Sequence, residues 1–224
     1  MPKKSLQENH VSPSVINRLP RYFRYLRILM REGKSRISSA ELAKRMNITA
    51  SQIRQDLNCF GGFGQQGYGY NITYLYAKIC ELLGVGAGLS AVVVGAGNLG
   101  RALVRSSMFE KRGVEVVSMF DVSPMLIGQT VNDVMIRNMT DVAAFCRENQ
   151  VDLAVLTLPK EEAQAVAHAL FEAGVGGFWN FTGQELEMEN AVVENVHLGD
   201  SLMTLCYRLC SADNQDQEEG TENL

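Results

Sequence analysis

The stretch Ser90-Ala-Val-Val-Val-Gly-Ala-Gly-Asn-Leu-Gly-Arg-Ala102 decides the fold of the larger part of the chain. Its apolar run, Ala91 to Val94, has no polar interruption, which is typical of a strand buried on both faces of a parallel sheet. The glycines that follow have the G-x-G-x-x-G spacing of a dinucleotide-binding turn. They would allow a sharp turn at Gly95, close approach of a pyrophosphate at Gly97 and tight helix packing at Gly100. A glycine turn that binds nothing is the alternative.

A second predicted strand, Val114 to Asp121, supports a dinucleotide ligand. Asp121 lies 21 positions after Gly100, near the spacing at which an acid binds the adenosine ribose hydroxyls. An Asp there favours NAD over NADP, because its charge would repel a 2′-phosphate. A helix cap or a turn before Pro124 is the alternative role. The cofactor-binding candidates in this unit are Gly95, Ala96, Gly97, Asn98, Leu99, Gly100 and Asp121.

Charge is distributed unevenly along the 224 residues. Residues 1–75 carry twelve Lys and Arg against four Asp and Glu, a net charge of +8; the remainder carries nine against 21, a net charge of −12. This asymmetry predicts that a basic module, joined to an acidic body, meets a polyanion. No apolar window is long enough for a membrane span, and the N-terminus does not resemble a signal peptide.

The five cysteines form no C-x-x-C pair, and their odd number favours a reduced, cytoplasmic protein over a disulfide framework. Cys206 and Cys210 share a predicted helical face, but no further metal-ligating residues lie nearby. We therefore expect these two cysteines to act as small apolar side chains and not as metal ligands.

The basic module is predicted to begin with a helix from about Asn17 to Arg31. Its apolar face would comprise Leu19, Tyr22, Phe23, Leu26, Leu29 and Met30. The other face would carry Arg18, Arg21, Arg24, Arg27 and Arg31. A solvated surface is the ordinary explanation, but the absence of interspersed acids favours a face that meets phosphate or the acidic body.

A helix-turn-helix is predicted over residues 37–60. Ser38 or Ser39 can cap its first helix, and Thr49 or Ser51 its second. The second helix would present to DNA the side-chain types that read base edges, namely Ser51, Gln52, Arg54, Gln55 and Asn58. A helical hairpin with a polar surface is the alternative, and the charge of +8 favours DNA.

Glycines alternate with aromatic residues over residues 61–70, which predicts a β-hairpin wing, or otherwise a flexible loop. From this wing and the first helix of the motif we expect DNA contacts from Lys44, Gly67 and Tyr68. A helix from Tyr74 to Leu83 then completes the module. The predicted boundaries are a disordered tail at 1–14, a winged-helix domain at 15–83 and a linker at 84–90.

The acidic body, predicted as a Rossmann domain over residues 91–199, alternates strands and helices, which indicates a parallel α/β sheet. Ligands bind beyond the C-terminal ends of such strands, so Thr157, Pro159 and Asn180 are candidates to line the nicotinamide half, with strand-ending turns as the alternative. A helix at 200–210 and a disordered acidic tail at 211–224 are predicted to follow.

Several stretches together resemble the Rex family of redox-sensing transcriptional repressors over roughly residues 15–210. They are Ser38-Ser-Ala-Glu-Leu42, Gln52-Ile-Arg-Gln-Asp-Leu-Asn-Cys-Phe-Gly61, Gly67-Tyr-Gly-Tyr70, Val94 to Gly100, Phe120-Asp121, Leu156-Thr-Leu-Pro159 and Trp179-Asn-Phe181. The resemblance implies a bacterial homodimer with a C-terminal helix exchanged between subunits. It also implies inverted-repeat operator binding when NAD dominates, and release when NADH binds.

Four positions depart from the pattern of that family. The wing has Gln65-Gln66 where many members have Lys-Arg, which should weaken phosphate contact. Ser106 replaces a tyrosine and His197 replaces an aspartate. In the family that aspartate pairs in turn with the tyrosine and with the arginine that corresponds to Arg24. The resemblance therefore makes Arg24, Ser106 and His197 switch residues, with Asp200 as a substitute acid; a half-buried structural role is the alternative for His197.

These observations predict a repressor that senses the NADH/NAD ratio and has no catalytic residues. The first alternative is a small NAD-dependent oxidoreductase, which the absence of a recognisable acid–base motif around His10, His168 and His197 disfavours. The second alternative is a helix-turn-helix regulator that senses another nucleotide ligand such as coenzyme A.

Overall fold

The computed structural model describes the backbone of residues 11–60, 64–65 and 68–221, and the side chains of residues 11–60 and 68–211. The chain divides into two compact units, Met1–Gly86 and Ala87–Leu224. The division falls inside the predicted linker, where Gly84, Gly86 and Gly88 all have positive φ.

The first unit is a winged helix-turn-helix. Its helices are α1 (Pro13–Ile16), α2 (Leu19–Arg31), α3 (Ser39–Met46), α4 (Ala50–Asn58) and α5 (Ile72–Leu82). Its strands are β1 (Arg36–Ile37), β2 (Gly64–Gln65) and β3 (Gly69–Asn71), paired antiparallel in the order β1-β3-β2. The β2–β3 hairpin confirms the predicted wing, while residues 66–67 between its strands lie outside the described residues.

Side-chain caps begin three of these helices. Ser38 Oγ accepts from the Glu41 amide (3.1 Å), Thr49 Oγ1 from the Gln52 amide (3.1 Å) and Asn71 Oδ1 from the Tyr74 amide (2.9 Å). These bonds satisfy amides that the first helical turn leaves without an intrahelical partner. Asn47 takes a left-handed conformation after α3, so the chain reverses between α3 and α4.

The predicted apolar face of α2 forms the centre of the first core, with one correction. Leu19, Tyr22, Phe23, Leu26 and Leu29 are buried there together with residues of α3, α4 and α5. Met30 is instead exposed. A helix turns about 100° per residue, so the position after Leu29 leaves the buried face.

The second unit is a Rossmann-type α/β domain. Its strands are β4 (Leu89–Val94), β5 (Val114–Asp121), β6 (Thr130–Val131), β7 (Val134–Asn138), β8 (Leu153–Leu156), β9 (Gly177–Asn180) and β10 (Val192–Asn195). Its helices are α6 (Asn98–Arg105), α7 (Val142–Asn149), α8 (Lys160–Glu172) and α9 (Leu198–Thr221). The sheet order is β10-β9-β8-β4-β5-β7-β6, and every pair is parallel except β6–β7.

Strand β4 lies in the middle of this sheet and is buried on both faces, as its uninterrupted apolar run predicts. Val92 and Val94 belong to one hydrophobic cluster and Val93 to another. The carboxyl ends of β4 and β8 are neighbours, because Val94 is in register with Leu156. This pairing brings the glycine turn next to the chain that follows β8.

The second unit contains two local features that the sequence did not predict. Helix α6 ends at Arg105, after which Ser106 is extended and a 3₁₀ turn covers Glu110–Arg112. The β6–β7 hairpin was not predicted; it turns through Asn132 and Asp133, which both have positive φ. Short strands with a two-residue polar turn give only a weak alternation signal.

Corrections also apply at both ends of the chain. Helix α1 overlaps the end of the predicted tail, whose residues 1–10 lie outside the described residues. Helix α9 begins at Leu198 and continues to Thr221, so residues 211–221 are helical rather than a disordered tail. Glu, Gln and Asp are compatible with a solvated helix, which composition alone does not separate from disorder. Among the described helices, none is long and apolar enough to cross a membrane.

Candidate functional site

The outer face of α4 carries most of the predicted base-reading side chains. Ser51, Arg54, Gln55 and Asn58 are exposed on this helix, and Lys44 is exposed on α3. The Arg54 guanidinium donates through Nη1 to Ser39 Oγ (3.1 Å). Arginine has five N–H donors, so this single bond leaves others for an external acceptor.

The wing contributes Tyr68, which is 71% exposed. Its backbone carbonyl accepts a hydrogen bond from Arg36 Nη1 at 3.2 Å. Gly67, the other wing candidate, lies outside the described residues. Gly69 has φ +68°, and a Cβ there would lie 2.6 Å from the carbonyl oxygen of Ile37, so only glycine fits where β3 passes β1.

Gln52 differs from the other predicted readers because its side chain bonds to a buried charged residue. Its Nε2 donates to Asp56 Oδ1 (2.8 Å), one helical turn further along α4. Asp56 is fully buried and also accepts from Arg18 through Nε (2.7 Å) and Nη2 (2.8 Å), and from Tyr22 Oη (2.9 Å). This network ties α4 to the beginning of α2.

The sequence reading assigned no role to Asp56. The available signal was an acid three positions after Ile53 and next to Leu57, on the inward face of a helix in a strongly basic module. Burial raises the pKa of Asp56, but hydrogen bonds from Arg18, Gln52 and Tyr22 outweigh it and hold the pKa below its ordinary value. Burial and the hydrogen bond to Asp56 raise the pKa of Tyr22.

The arginine face of α2 is only partly free to meet phosphate. Arg18 is committed to Asp56, and Arg21 donates through Nη2 to the Met46 carbonyl. The guanidinium groups of Arg24 and Arg27 lie 5.5 Å and 5.7 Å from the ring centres of Tyr25 and Phe23. Two of the five arginines therefore hold the helix-turn-helix together, which corrects the expectation of one continuous external face.

In the second unit, the glycine turn takes the shape that its spacing predicts. Gly95 has φ +98°, and a Cβ there would lie 2.5 Å from the Thr157 carbonyl oxygen. A Cβ on Gly100 would overlap the Gly95 carbonyl and lie 2.7 Å from Thr157 Oγ1. Gly97 has no neighbouring atom within 4 Å of the Cβ position. Two glycines therefore permit close packing, and the middle one borders open space.

Asp121 lies at the carboxyl end of β5, beside this turn. Its Oδ2 accepts from the Ala96 amide (2.7 Å), and its Oδ1 accepts from the Ser123 amide (2.8 Å). Each carboxylate oxygen has a second lone pair, so hydroxyl groups could still donate to it. Asp121 thus has the turn role considered as its alternative, and its position is compatible with ribose binding as well.

The three candidates on later strands occupy different environments. Thr157 Oγ1 donates to the carbonyls of Val94 (3.2 Å) and Gly95 (2.8 Å), which fixes the turn. Pro159 is exposed immediately before α8. Asn180 is buried, and its amide bonds to the Gln184 carbonyl, Asn195 and Thr182. The Asn180 side chain therefore shapes the turn after β9, which is the role considered as its alternative, and its place in the nicotinamide half stays a prediction.

Arg101 is a further residue near the glycine turn that sequence reading did not select. It lies in the first turn of α6, and its Nη2 donates to Asn98 Oδ1 (3.3 Å). Its Nε is buried and, alone among the buried side-chain N and O atoms of the described residues, has no hydrogen-bond partner. A cationic group beside a helix N-terminus favours an anion there.

The predicted switch residues lie in both units. Arg24 is exposed on α2 in the first unit, and Asp200 is exposed at the beginning of α9 in the second. Ser106 donates to the Leu103 carbonyl (2.9 Å) and lines a cavity of about 330 Å³ with Arg105, Glu110 and Asn132, among others. His197 is half-buried just before α9. Their role in switching stays a prediction.

No cluster of three or more His, Cys, Asp or Glu able to hold a metal ion occurs within the described residues. Cys146 is buried, and burial raises its thiol pKa to about 11, whereas Cys206 and Cys210 are exposed on α9.

Two protein-family models match separate parts of the chain. The family described as "Putative DNA-binding protein N-terminus" matches residues 10–58, and the "CoA binding domain" family matches residues 89–183. These ranges fall in the first and second units, respectively.

Curated relatives match almost the whole chain. The redox-sensing transcriptional repressor Rex of Caldicellulosiruptor saccharolyticus is 47% identical over 204 residues, which cover 91% of this chain and 93% of the relative. The Rex of Clostridium botulinum is 46% identical, with 91% of this chain and 97% of the relative covered.

Solved structures agree with these relatives. RSP, a Rex-family repressor, was solved in complex with β-NAD+ and operator DNA; that chain is 44% identical, with a TM-score of 0.85 and coverage of 94% of this chain and 97% of the other. RSP in complex with β-NADH is 42% identical, with a TM-score of 0.86 and coverage of 93% and 98%.

Proposed function

The chain belongs to the Rex family of redox-sensing transcriptional repressors, and on that premise we propose that it binds inverted-repeat operator DNA and releases it when NADH binds. One observation carries the proposal: a single chain combines an exposed recognition helix, α4, with a glycine turn that is open at Gly97. The solved relative RSP binds operator DNA and both forms of the dinucleotide.

For DNA, the proposed contacts come from α4, α3 and the wing. Arg54 suits a guanine edge, because its planar guanidinium can donate twice to O6 and N7. Gln52, Gln55 and Asn58 are amides of the kind that bind adenine. Ser51, Lys44, Gly67 and Tyr68 would contact the backbone or the wing-side groove. The net charge of +8 over residues 1–75 supports binding of this unit to the phosphate backbone of DNA.

For the dinucleotide, the residues around the glycine turn fit a pyrophosphate. The amides at the beginning of α6 would hold it, together with the backbone of Gly95, Ala96, Gly97, Asn98, Leu99 and Gly100. Gly97 leaves space for close approach, and the unpartnered Arg101 Nε supplies positive charge beside this helix end. Asp121 would accept from the ribose hydroxyls and disfavour a 2′-phosphate. Thr157 and Pro159 border the nicotinamide half.

Sensing requires that NADH and NAD favour different arrangements of the protein. The two forms differ by one hydride and about one unit of ring charge, and only a difference in affinity between arrangements shifts their populations. We propose Arg24, Ser106, His197 and Asp200 as the residues that report the bound form. Because Ser106 and His197 cannot reproduce a tyrosine–aspartate pair, Asp200 would supply the acid.

We also propose that the protein acts as a homodimer through α9. Leu198, Leu202, Leu205 and Leu209 repeat at intervals of four, three and four residues, and each is at least half exposed. A single helical face with four exposed leucines is typical of a surface that a second chain covers. An exchanged helix would place the two recognition helices at the half-sites of a symmetric operator. Because its partner is operator DNA, we propose a cytoplasmic location.

A second candidate ligand has a specific observation in its favour. The "CoA binding domain" family matches residues 89–183, so a nucleotide-containing ligand such as coenzyme A is the alternative for the same turn. In either case the protein would act as a regulator rather than as an enzyme, because the relatives that match most of the chain are repressors.

The decisive experiment is an operator gel shift at fixed salt with NAD, NADH or coenzyme A. We expect NADH to weaken the complex and NAD to preserve it. Release by coenzyme A alone would favour coenzyme A as the ligand. Turnover of NADH with a substrate would favour the alternative that the protein is an oxidoreductase. Trp179, the only tryptophan, lies 4.6 Å from Phe181 between ring centres and would report ligand binding to this unit by fluorescence.

A further inference from the structure

Asp56 is the fully buried charged residue of the helix proposed to read DNA. It lies at 0% exposure on α4, although an acid on such a helix would ordinarily face phosphate and repel it. Both carboxylate oxygens are saturated: Arg18 Nη2 and Gln52 Nε2 donate to Oδ1, each at 2.8 Å, while Arg18 Nε (2.7 Å) and Tyr22 Oη (2.9 Å) donate to Oδ2.

The pairing with Arg18 explains why this charge is retained in the interior. A bidentate guanidinium compensates a carboxylate both in charge and in geometry, and Tyr22 completes the shell from one turn further along α2. Asp56 is therefore held rigidly by α2, and it cannot rotate without breaking several hydrogen bonds. A fixed acceptor is thus presented to the side chain at position 52.

The consequence for Gln52 follows from the chemistry of its amide. An ionised carboxylate only accepts hydrogen bonds, so the NH₂ end of Gln52 must face Asp56 and the Oε1 end must face away. One N–H of the amide is used by Asp56, which leaves the second N–H and the carbonyl oxygen free. A glutamine whose amide cannot flip discriminates between a donor and an acceptor on a base edge, whereas one that flips freely accepts either.

We propose that Asp56 is a positioning residue for operator reading: it fixes the amide orientation of Gln52, so that position 52 selects one base at its place in the operator. Asp56 itself does not touch DNA. The proposal rests on the proposed function, since it requires that α4 reads an operator. It differs from a purely structural role, which would affect binding to every DNA sequence alike.

The experiment compares affinity for the operator with affinity for scrambled DNA of equal length, at one salt concentration. In Asp56→Asn, the new side-chain NH₂ group would face the donors of Arg18, Tyr22 and Gln52. Because it cannot accept a hydrogen bond, the amide of Gln52 would no longer be held in one orientation. The expected result is a fall of about 10- to 100-fold in the ratio of the two affinities, because one good amide–base contact discriminates by about that factor. Gln52→Ala should give a similar fall, and the double variant no further fall.

Glu32→Gln is the matched control. It also removes one negative charge and a bidentate arginine pair, here with Arg45 at 3.0 Å and 2.9 Å. This pair is partly exposed and has no hydrogen bond to Gln52 or Asp56 among the described residues. The ratio should not change in Glu32→Gln. Thermal unfolding and the Trp179 response to NADH, measured on each variant, separate altered reading from unfolding.

An equal loss of affinity for both DNAs in Asp56→Asn, or full additivity with Gln52→Ala, would overturn the proposal in favour of a structural role. If Asp56→Asn does not fold, Tyr22→Phe and Gln52→Ala decide: a reduced ratio in both supports the proposal, and an unchanged ratio in either one contradicts it. Failure of the wild-type protein to bind any inverted repeat would instead refute the proposed function.

Discussion

The two units build their candidate sites from different parts of the chain. In the second unit the glycine turn is a backbone site: Gly95 and Gly100 matter because they lack side chains, and Gly97 borders open space. In the first unit the reading helix is a side-chain site, held by the buried Arg18–Asp56 pair and its neighbours. The backbone site leaves no room for a side chain at Gly95 and Gly100, whereas the side-chain site depends on charges that must stay paired.

This difference predicts how each site fails. Adding a methyl group to a turn glycine should damage the second unit and leave the reading helix intact, while removing the charge of Asp56 should do the opposite. A turn glycine whose substitution weakens operator reading, or a loss of the Asp56 charge that weakens NADH binding, would contradict this division.

Gly100→Ala should have the largest effect. Its Cβ would overlap the Gly95 carbonyl and crowd Thr157, which are fixed by the β4–β8 pairing. We expect a loss of about 3 kcal/mol of stability in the second unit, typical of severe overpacking, together with loss of NADH binding. Thermal unfolding and Trp179 fluorescence measure the two quantities.

Gly97→Ala is the control for that substitution, because its Cβ meets no protein atom. The variant should keep its melting temperature and still bind NADH about 10- to 100-fold more weakly, the cost of one charged hydrogen bond to phosphate. If Gly97→Ala and Gly100→Ala lowered the melting temperature equally, crowding at Gly100 would not be the cause of the destabilisation.

Asp56→Asn should destabilise the first unit by about 3 kcal/mol, the lower end for breaking a buried ion pair, because Arg18 keeps some exposure to solvent. NADH binding by the second unit should persist. Chemical denaturation followed by circular dichroism, with Glu32→Gln as the reference, measures the loss; an unchanged denaturation midpoint would contradict the role given to this pair.

Arg54→Ala should weaken specific operator binding without a loss of stability, since its side chain is exposed and bonds only to Ser39 among the described residues. The expected cost is about 1–3 kcal/mol, or roughly 5- to 150-fold in operator affinity. Fluorescence anisotropy with labelled operator tests it. Normal affinity in this variant would mean that α4 is not the reading helix.

The smallest expected effect is a dependence of the stability of the first unit on pH. The folded-state pKa of Asp56 lies below its unfolded value of about 4, because hydrogen bonds from Arg18, Gln52 and Tyr22 outweigh the effect of burial. Its contribution is therefore complete above about pH 4 and is lost as the pH falls through the folded-state pKa. The stability difference between wild type and Asp56→Asn should shrink below about pH 4. Melting temperatures from pH 7 to pH 3 test this, and a constant difference would contradict it.

The same contrast explains how much the sequence could predict. Backbone features leave a local signature in the sequence. The glycine spacing predicted the sharp turn at Gly95 and the tight packing at Gly100. The caps Ser38, Thr49 and Asn71 lie within three residues of the amides that they bind. The helix-turn-helix, the wing and the parallel sheet were predicted from local patterns of this kind.

Side-chain networks leave no comparable signature. Arg18 and Asp56 are 38 positions apart, so their pairing depends on the packing of α2 against α4, and Gln52 looked free because its partner could not be foreseen. The contacts of the Asn180 amide with Gln184 and with Asn195, which is 15 positions away, could likewise not be foreseen. The β6–β7 hairpin and the length of α9 were missed because short strands and polar helices lack strong periodicity.

The central claim is that the glycine turn of one unit controls the DNA affinity of the other. Its most direct test is the operator affinity of wild type and Gly97→Ala measured across a series of NADH/NAD ratios at constant total nucleotide and salt. We expect the wild type to lose affinity as NADH rises, and Gly97→Ala to bind operator normally without responding to the ratios that release the wild type. An operator affinity of the wild type that stays constant across the series would contradict it.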